Sequence, residues 1–320
     1  MDGFFDARFL LTAALCLAVI FVNGWTDAPN SVATAIASGA LRWRTAINLS
    51  AVFNFLGVAA AYAFNDSLSR NIGGAVDFGK ASLCVLCAAM TSVVAFAVIA
   101  WYFGIPTSES HALMAALAGG AAALGRGDNT RSLLGGTFLG IAVTSAMGFL
   151  LALFIKRLLK KVENTALLKK GQVASAAALS IIHGAQAGQK FAAILLLSLK
   201  TAAPERAYSP FFAVAACALL MSLGTAVGGG RIIKKVGSGI ARVDPRGGLA
   251  CDVSAFIALS LCTLLGIPAS TTHTKTTAVL GVGVEEGCVN LRTFGGIAAA
   301  WALTFPCCFA ISFSIVKICV

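Results

Sequence analysis

The octapeptide G-I-P-T-S-E-S-H at residues 104–111 recurs as G-I-P-A-S-T-T-H at residues 266–273. Glycine, isoleucine, proline, serine and histidine are identical at an offset of 162 residues. A second landmark follows each copy, because Arg131 with Gly135-Gly136 resembles Arg292 with Gly295-Gly296. Landmarks that recur in the same order indicate an internal structural repeat.

The composition indicates a membrane protein. The 320 residues are 58% apolar and only 12% charged, with a mean hydropathy of +0.87, whereas soluble domains carry about 25% charged residues. A membrane-spanning helix needs about 20 mostly apolar residues. The sequence predicts about ten such segments, near residues 9–39, 43–64, 82–103, 105–124, 131–155, 172–199, 210–230, 247–266, 268–284 and 293–316.

The basic residues indicate topology rather than nucleic-acid binding. The net charge is +11, but lysines and arginines lie in short loops without interleaved aromatic residues. Two loops, 156–170 and 231–246, are the most basic, and the positive-inside rule predicts that both are cytoplasmic. We expect a multi-pass protein in the lipid bilayer of a bacterial-type inner membrane, with no nucleic-acid partner.

The repeat and the segment count together predict the fold. Each half carries an odd number of predicted segments, so the second half enters the membrane from the opposite side. The predicted fold is an all-α polytopic membrane protein of two inverted repeats with broken or re-entrant helices at the midplane. The repeats are predicted at residues 1–155 and 172–320, with a basic cytoplasmic linker at 156–171. The ten cysteines lie mostly inside apolar stretches and are expected to be reduced packing residues, with no bound cofactor.

Four polar segments interrupt the apolar stretches, at residues 23–31, 105–111, 183–190 and 267–275. Unwound backbone is tolerated at membrane depth only against protein or a water-filled cavity, so these segments are predicted to line a polar pathway. Each also resembles a helix start, and converging helix N-termini with hydroxyl groups favour an anion. The predicted substrate ligands are Ser108, Ser110, Ser270, Thr271, Thr272, Gln189, Lys190 and Lys275.

Acids and histidines in the same segments predict an ion-coupling site. Asp27 and Glu109 are the acids expected deepest in the membrane, where ionisable groups are usually functional. Asp27 with Asn30, near Asn23, is a candidate sodium site, and Glu109 is a candidate cation or proton carrier. The alternative is an ion pair of these acids with Lys190 or Lys275. All three histidines, His111, His183 and His273, fall in the polar segments and are predicted to serve the pathway. Asp252 is expected near a helix end, at the membrane interface.

The four segments resemble motifs of the PiT family of inorganic phosphate transporters. The first motif is matched by Asn23, Gly24, Asp27, Asn30, Ser31, Val32, Ala33 and Thr34, and the second by His183, Gly184, Gly188, Gln189 and Lys190. The hydroxyl motif is matched fully at Pro268–His273 and partly at Pro106–His111. The resemblance implies cation-coupled phosphate uptake by a symporter, with phosphate held by hydroxyls and helix starts between the halves and cations held by paired Asp residues.

Three positions depart from the family pattern. Gln186 and Ala187 replace an Asn and an Asp, Glu109 replaces a Thr, and Lys275 follows the second hydroxyl motif. We hypothesise that Lys275 supplies a fixed positive charge in place of a lost cation. One coupling site, around Asp27, would remain.

The sequence is also compatible with transport of another oxyanion, with a hydrolase and with a passive channel. Sulfate or another oxyanion is similar to phosphate in shape, although an acceptor facing the anion favours phosphate, which can donate a hydrogen bond. Ser108 with His111 and Ser270 with His273 resemble hydrolase dyads, but no G-x-S-x-G elbow is present and we expect no enzyme activity. A passive channel is disfavoured by the buried acids. A homodimer would be unsurprising.

Overall fold

The structure is a computed structural model that describes residues 7–64, 81–202 and 209–320. Within these ranges it contains helices and no strand. The α-helices are α1 Ala7–Thr26, α2 Ala33–Ala37, α3 Trp43–Phe64, α4 Ser82–Tyr102, α5 Glu109–Ala123, α6 Asp128–Leu158, α7 Thr165–Ala202, α8 Pro210–Val227, α9 Gly230–Lys234, α10 Pro245–Leu264, α11 Thr271–Glu286 and α12 Leu291–Cys319. The predicted all-α fold is confirmed.

Seven helical segments of the described chain are long and apolar enough to cross a membrane. They are Phe9–Ser31, Trp43–Tyr62, Ser82–Tyr102, Thr130–Lys161, Pro210–Val227, Pro245–Leu264 and Leu291–Cys319. Helices α5 and α11 have only 15 and 16 residues, which at about 1.5 Å per residue is shorter than a hydrocarbon core about 30 Å thick. The count of ten crossings and the inverted orientation of the halves stay predictions.

The first polar segment breaks its helix. Helix α1 ends at Thr26, a 3₁₀ turn covers Ala28–Ser31, and the short α2 follows. Pro29 cannot donate to the helical ladder, which accounts for the break. The Ala28 carbonyl accepts from the hydroxyl of Ser31 at 2.8 Å, so side chains satisfy backbone groups that the break exposes.

The third polar segment does not break its helix, and the prediction of a helix start at residues 183–190 was wrong. These residues lie inside α7, a continuous helix of 38 residues. No proline interrupts the segment, and its glycines serve packing instead. A Cβ at Gly184 would overlap the backbone carbonyl of Asn54 on α3. The predicted linker 156–171 is also mostly helical, because only residues 162–164 lie outside helices there.

The main helix contacts run between the two halves and come in pairs. Helix α1 packs on α8 as α7 packs on α3, and α5 packs on α12 as α11 packs on α6. Glycines mark the closest crossings: Gly24 faces the Met221 carbonyl much as Gly184 faces that of Asn54, and Gly119 faces Phe309 much as Gly281 faces Phe149. Each glycine lies 160 or 162 residues from its counterpart. Small residues let helix backbones approach where lipid gives no hydrophobic driving force. These paired contacts agree with the internal repeat.

Gly119→Ala should destabilise the protein, because the new Cβ would overlap the Phe309 carbonyl of α12. Overpacking of this kind costs about 1–3 kcal/mol, so thermal unfolding in detergent should start several degrees lower. Gly135→Ala is the matched control, since Gly135 is also helical but has no heavy atom within 4 Å of its Cβ position. Equal unfolding temperatures for the two variants would refute the close crossing.

Candidate functional site

The site is built where the starts of α5 and α11 meet. Ser108 and Ser270 are their N-caps, and each hydroxyl accepts the backbone N–H three residues on, from His111 and His273, at 3.2 Å. The Thr272 hydroxyl donates to the Thr107 carbonyl at 2.9 Å, which joins the two starts. The first amides of a helix have no intrahelical acceptor and carry the positive end of its dipole. Two buried positive helix ends therefore meet between the halves.

The break after α1 supplies a carboxylate to this junction. Asp27 accepts from the Thr272 hydroxyl and from the Asn30 side-chain amide at 3.0 Å. Asn30 also donates to the Thr272 hydroxyl at 3.0 Å. Because Asp27 and Thr272 belong to opposite halves of the chain, this contact links them at the level of the helix starts.

A second carboxylate lies beside the first. The Asn23 amide donates to Glu109 at 3.1 Å and to Asp27 at 3.5 Å, and the Thr26 hydroxyl also donates to Glu109. Within the described ranges, neither acid has a lysine or arginine within 4.0 Å, so the alternative of ion pairs with Lys190 or Lys275 is not seen. Two buried acids that share one amide favour a bound cation or a proton.

Unpaired acceptors next to these acids fit a cation. Asn23 Oδ1 and Asn30 Oδ1 are buried and have no hydrogen-bond partner in the described structure. Amide carbonyls and carboxylates are the oxygen ligands that hard cations prefer. The predicted sodium ligands Asp27 and Asn30 therefore lie together, with Asn23 and Glu109 alongside.

Lys190 brings a positive charge to the same junction. Its ammonium donates to the Ser110 hydroxyl at the start of α5 and to the Ala269 carbonyl, just before α11, at 3.3 Å. The side chain is buried, with a relative exposure of 3%, and it interacts electrostatically with Asp27 and Glu109. Neither acid lies within 4.0 Å of the ammonium, so the ammonium and the two positive helix ends together favour a bound anion.

The three histidines have different surroundings. His183 Nδ1 lies 3.1 Å from the Thr271 hydroxyl, so it reaches the start of α11. His273 binds the Ser270 hydroxyl at 2.7 Å and stacks on Trp301 with ring centroids 3.8 Å apart. The ring nitrogens of His111 have no hydrogen-bond partner in the described structure, and the ring lies among those of Phe138, Phe305 and His273. His183 and His273 each contact a predicted anion ligand, but only His183 reaches α11 from another helix, because Ser270 and His273 belong to the same helix turn.

Lys275 is paired elsewhere. Its ammonium donates to Asp252, which also accepts from the Thr34 hydroxyl at 2.6 Å, and both members of the ion pair are 0% exposed. Asp252 lies two turns inside α10, which begins at Pro245, and faces α11; its predicted position at the membrane interface stays a prediction. The expected partners of Lys275, namely the anion, Glu109 and Asp27, are replaced by Asp252.

Three polar residues of this region, Thr26, Thr34 and Gln186, were not among the predicted site residues. Thr26 binds Glu109, Thr34 binds Asp252, and Gln186 accepts the Ala269 N–H at 3.2 Å while donating to Thr263 at 2.9 Å. Thr26 lies directly before Asp27 in a polar segment, which was a usable signal. The predicted ligand Gln189 is buried in α7, one residue before Lys190.

Comparison with known proteins gives the family. The profile of the phosphate transporter family matches residues 23–170 and again residues 160–312. The chain belongs to the phosphate transporter family. A probable low-affinity inorganic phosphate transporter of Rhizobium meliloti (strain 1021) is 35% identical over 315 residues, and one of Bacillus subtilis (strain 168) is 31% identical over 309 residues; each alignment covers 93% of this chain and 92% of the relative.

A solved structure shares the fold of this family member. It is described as the sodium-dependent phosphate transporter and superposes with a TM-score of 0.79 at 20% identity, covering 98% of this chain and 99% of that one. The likeness extends over nearly the whole of both chains. The family assignment made from the four motifs is confirmed.

Removing one partner of the Lys275–Asp252 pair should destabilise the transporter, because it leaves a buried charge without its counter-charge. We expect Lys275→Met to lower the free energy of unfolding by about 3–5 kcal/mol. The double variant Lys275→Met/Asp252→Asn should recover most of this loss, since Asn can still accept from Thr34. Thermal unfolding of purified protein measures both. A double variant no more stable than the single one would contradict the pairing.

Proposed function

We propose that this protein takes up inorganic phosphate across the membrane by cation-coupled symport with alternating access. The observation that carries the proposal is the convergence of Lys190 with the starts of α5 and α11. Three buried positive features at one point call for an anion, and the Asp27–Glu109 cluster beside them calls for a cation. Relatives from bacteria named as inorganic phosphate transporters support phosphate as the cargo.

The proposed phosphate ligands surround the helix starts. Lys190, the hydroxyls of Ser110 and Thr271, and the first amides of α5 and α11 are all donors, as a tetrahedral oxyanion requires. His183, in contact with Thr271, adds a group able to accept a proton from the anion. Phosphate carries a proton at neutral pH and sulfate does not, so nearby acceptors favour phosphate.

The proposed coupling site is the acidic cluster of Asp27 and Glu109, which is adjacent to the proposed phosphate site. Asp27 with the side-chain oxygens of Asn23 and Asn30 would hold sodium, and Glu109 would hold either a share of the cation or a proton. Thr272 binds Asp27 while its neighbour Thr271 belongs to the proposed anion site. A cation on Asp27 would therefore orient the helix start that binds phosphate, which is a physical basis for coupling.

The proposed phosphate site combines residues of the two halves, and Thr272 of the second half contacts the coupling cluster of the first, so relative movement of the halves would open the sites to one side at a time. The Ser270–His273 contact does not favour a hydrolase. The Ser270 oxygen already accepts the backbone N–H of His273 as the N-cap of α11, and both residues belong to one helix turn. Localisation in a bacterial inner membrane and assembly as a homodimer stay predictions.

Asp27→Asn should abolish accumulation of labelled phosphate driven by an ion gradient in proteoliposomes. The variant loses the carboxylate that is proposed to hold the coupling cation. Sodium and pH gradients are imposed separately, which also identifies the coupling ion. Asp128→Asn is the matched control, because Asp128 is an exposed acid that pairs with Arg131 on the same helix turn. If Asp27→Asn concentrates phosphate as the wild type does, the cation site is wrongly assigned.

Ser110→Ala and Thr271→Ala should each weaken phosphate affinity by about tenfold or more, because a hydrogen bond to a charged group is worth about 1.5–3 kcal/mol. Thr304→Ala is the control, as that hydroxyl bonds only to the Ala300 carbonyl of its own helix. Competition with unlabelled sulfate tests the cargo in the same assay. Sulfate that competes as well as phosphate would overturn the choice of phosphate.

A further inference from the structure

The hydrogen bonds of the site come in pairs that follow the repeat. Asn23 binds Glu109, and the residues 160 and 162 positions later, His183 and Thr271, bind each other. Asn30 binds Thr272 across the junction, and the residues at the same offsets, Lys190 and Ser110, also bind each other across it. These two pairs of contacts make the two sides of the junction equivalent in position, although the residue types differ.

This equivalence shows what occupies the second half in place of a cation site. The counterpart of Asp27 is Ala187, which has no carboxylate, and the counterpart of Asn30 is Lys190. Where the Asn30 amide lies between a carboxylate and a hydroxyl, the Lys190 ammonium contacts the hydroxyl alone and turns to the Ala269 carbonyl. In the first half, the position of Asp27 and Asn30 could hold a mobile cation. In the second half, the equivalent position holds the covalently attached ammonium of Lys190.

The charge on Lys190 is available to an anion. No carboxylate of the described chain lies within 4.0 Å of its ammonium, and its two hydrogen-bond partners are neutral. Lys275, by contrast, is held by Asp252, and its own counterpart in the first half is the apolar Leu113. Of these two membrane-depth lysines, Lys190 is the one positioned to replace an ion beside the substrate.

We propose that Lys190 is a resident replacement for a second coupling cation, so that the second half binds no cation and all cation coupling occurs at the Asp27–Glu109 cluster. The protein then moves one cation fewer per phosphate than a symmetric pair of Asp27-type sites would move. This inference rests on the proposed function, because it takes the Asp27 cluster to be the coupling site.

The consequence is a permanent positive charge in the anion site. A mobile cation leaves with the substrate, whereas Lys190 stays in every conformational state and contributes no ion to the transport stoichiometry. Phosphate affinity should therefore persist more strongly at low cation concentration than in a site where two ions must bind first.

The test is to introduce the residues of the Asp27 site at the equivalent positions of the second half. Ala187→Asp/Lys190→Asn copies Asp27 and Asn30 at their equivalent positions. In proteoliposomes, the number of cations moved per phosphate is measured from the gradient that just prevents net phosphate flux, and the cation dependence of uptake is measured alongside. We expect the double variant to move one cation more per phosphate than the wild type and to show a steeper cation dependence. Lys190→Asn alone should lower phosphate affinity by about tenfold or more without adding an ion.

A reciprocal variant in the first half, Asn30→Lys, tests the same inference if the double variant misfolds. Asn30→Lys places an ammonium beside Asp27 in the first half, where it should replace the remaining coupling cation and leave phosphate uptake independent of the cation gradient. The charge-neutral variant Lys275→Met/Asp252→Asn is the control for loss of a buried lysine, and its cation number should equal that of the wild type.

The results separate this inference from the proposed function. If Asp27→Asn retains coupled uptake, the proposed coupling site is wrong. If Asp27→Asn loses coupling but the folded, active Ala187→Asp/Lys190→Asn variant moves no additional cation, the replacement role of Lys190 is overturned while the function stands. Unchanged phosphate affinity in Lys190→Asn, or full cation dependence in a folded Asn30→Lys variant, would overturn it as well.

Discussion

The contact on which the site depends is made by the Thr272 side chain, where the two halves of the chain meet. Its hydroxyl shares one hydrogen between two acceptors within hydrogen-bond distance, Asp27 in the break after α1 and the Thr107 carbonyl before α5, and the hydroxyl oxygen accepts from Asn30. One small side chain thus joins the start of α11 to two polar segments of the first half. Because backbone breaks at membrane depth need partners from protein, this junction allows both short helices to begin there.

The charges are divided unequally between the equivalent sides of the junction. Asp27 and Glu109 both come from the first half, whereas Lys190 comes from the second. In an exact duplicate, each side would carry the same charge and would attract the same ion. The division instead brings the acidic cluster and Lys190 close together, so a cation bound at the acids and an anion bound at the lysine would each reduce the electrostatic cost of binding the other.

The sequence predicted the parts of the site that depend on local chemistry. Ser108 and Ser270 follow prolines closely and precede alanine- or threonine-rich helices, and both are N-caps in the structure. The break near Asp27 was also predictable, because Pro29 lacks the backbone N–H that a continuing helix would use and lies among the polar residues Asp27 and Asn30. The all-α membrane class followed from composition, and the repeated octapeptide predicted the two equivalent helix starts. These signals act over a few residues, which is why they can be read without tertiary information.

The errors concern residues whose role depends on neighbours distant in sequence. Gly184 and Gly188 resemble the glycines of a loop, yet α7 continues through both. They are small because α3 packs closely against this face of α7, where a Cβ at Gly188 would overlap the Val58 side chain. Lys275 was expected beside the substrate because its segment lies there, but on a helix the side chains at Thr272 and Lys275 differ in direction and height. The ammonium meets Asp252 on α10 instead. Periodicity alone cannot identify such a partner, since it depends on which face of α10 packs against α11. The same reasoning separates the two lysines chemically: a buried lysine with a buried aspartate forms a neutral pair that serves the fold, whereas a buried lysine with neutral partners at two helix starts retains a charge for a ligand.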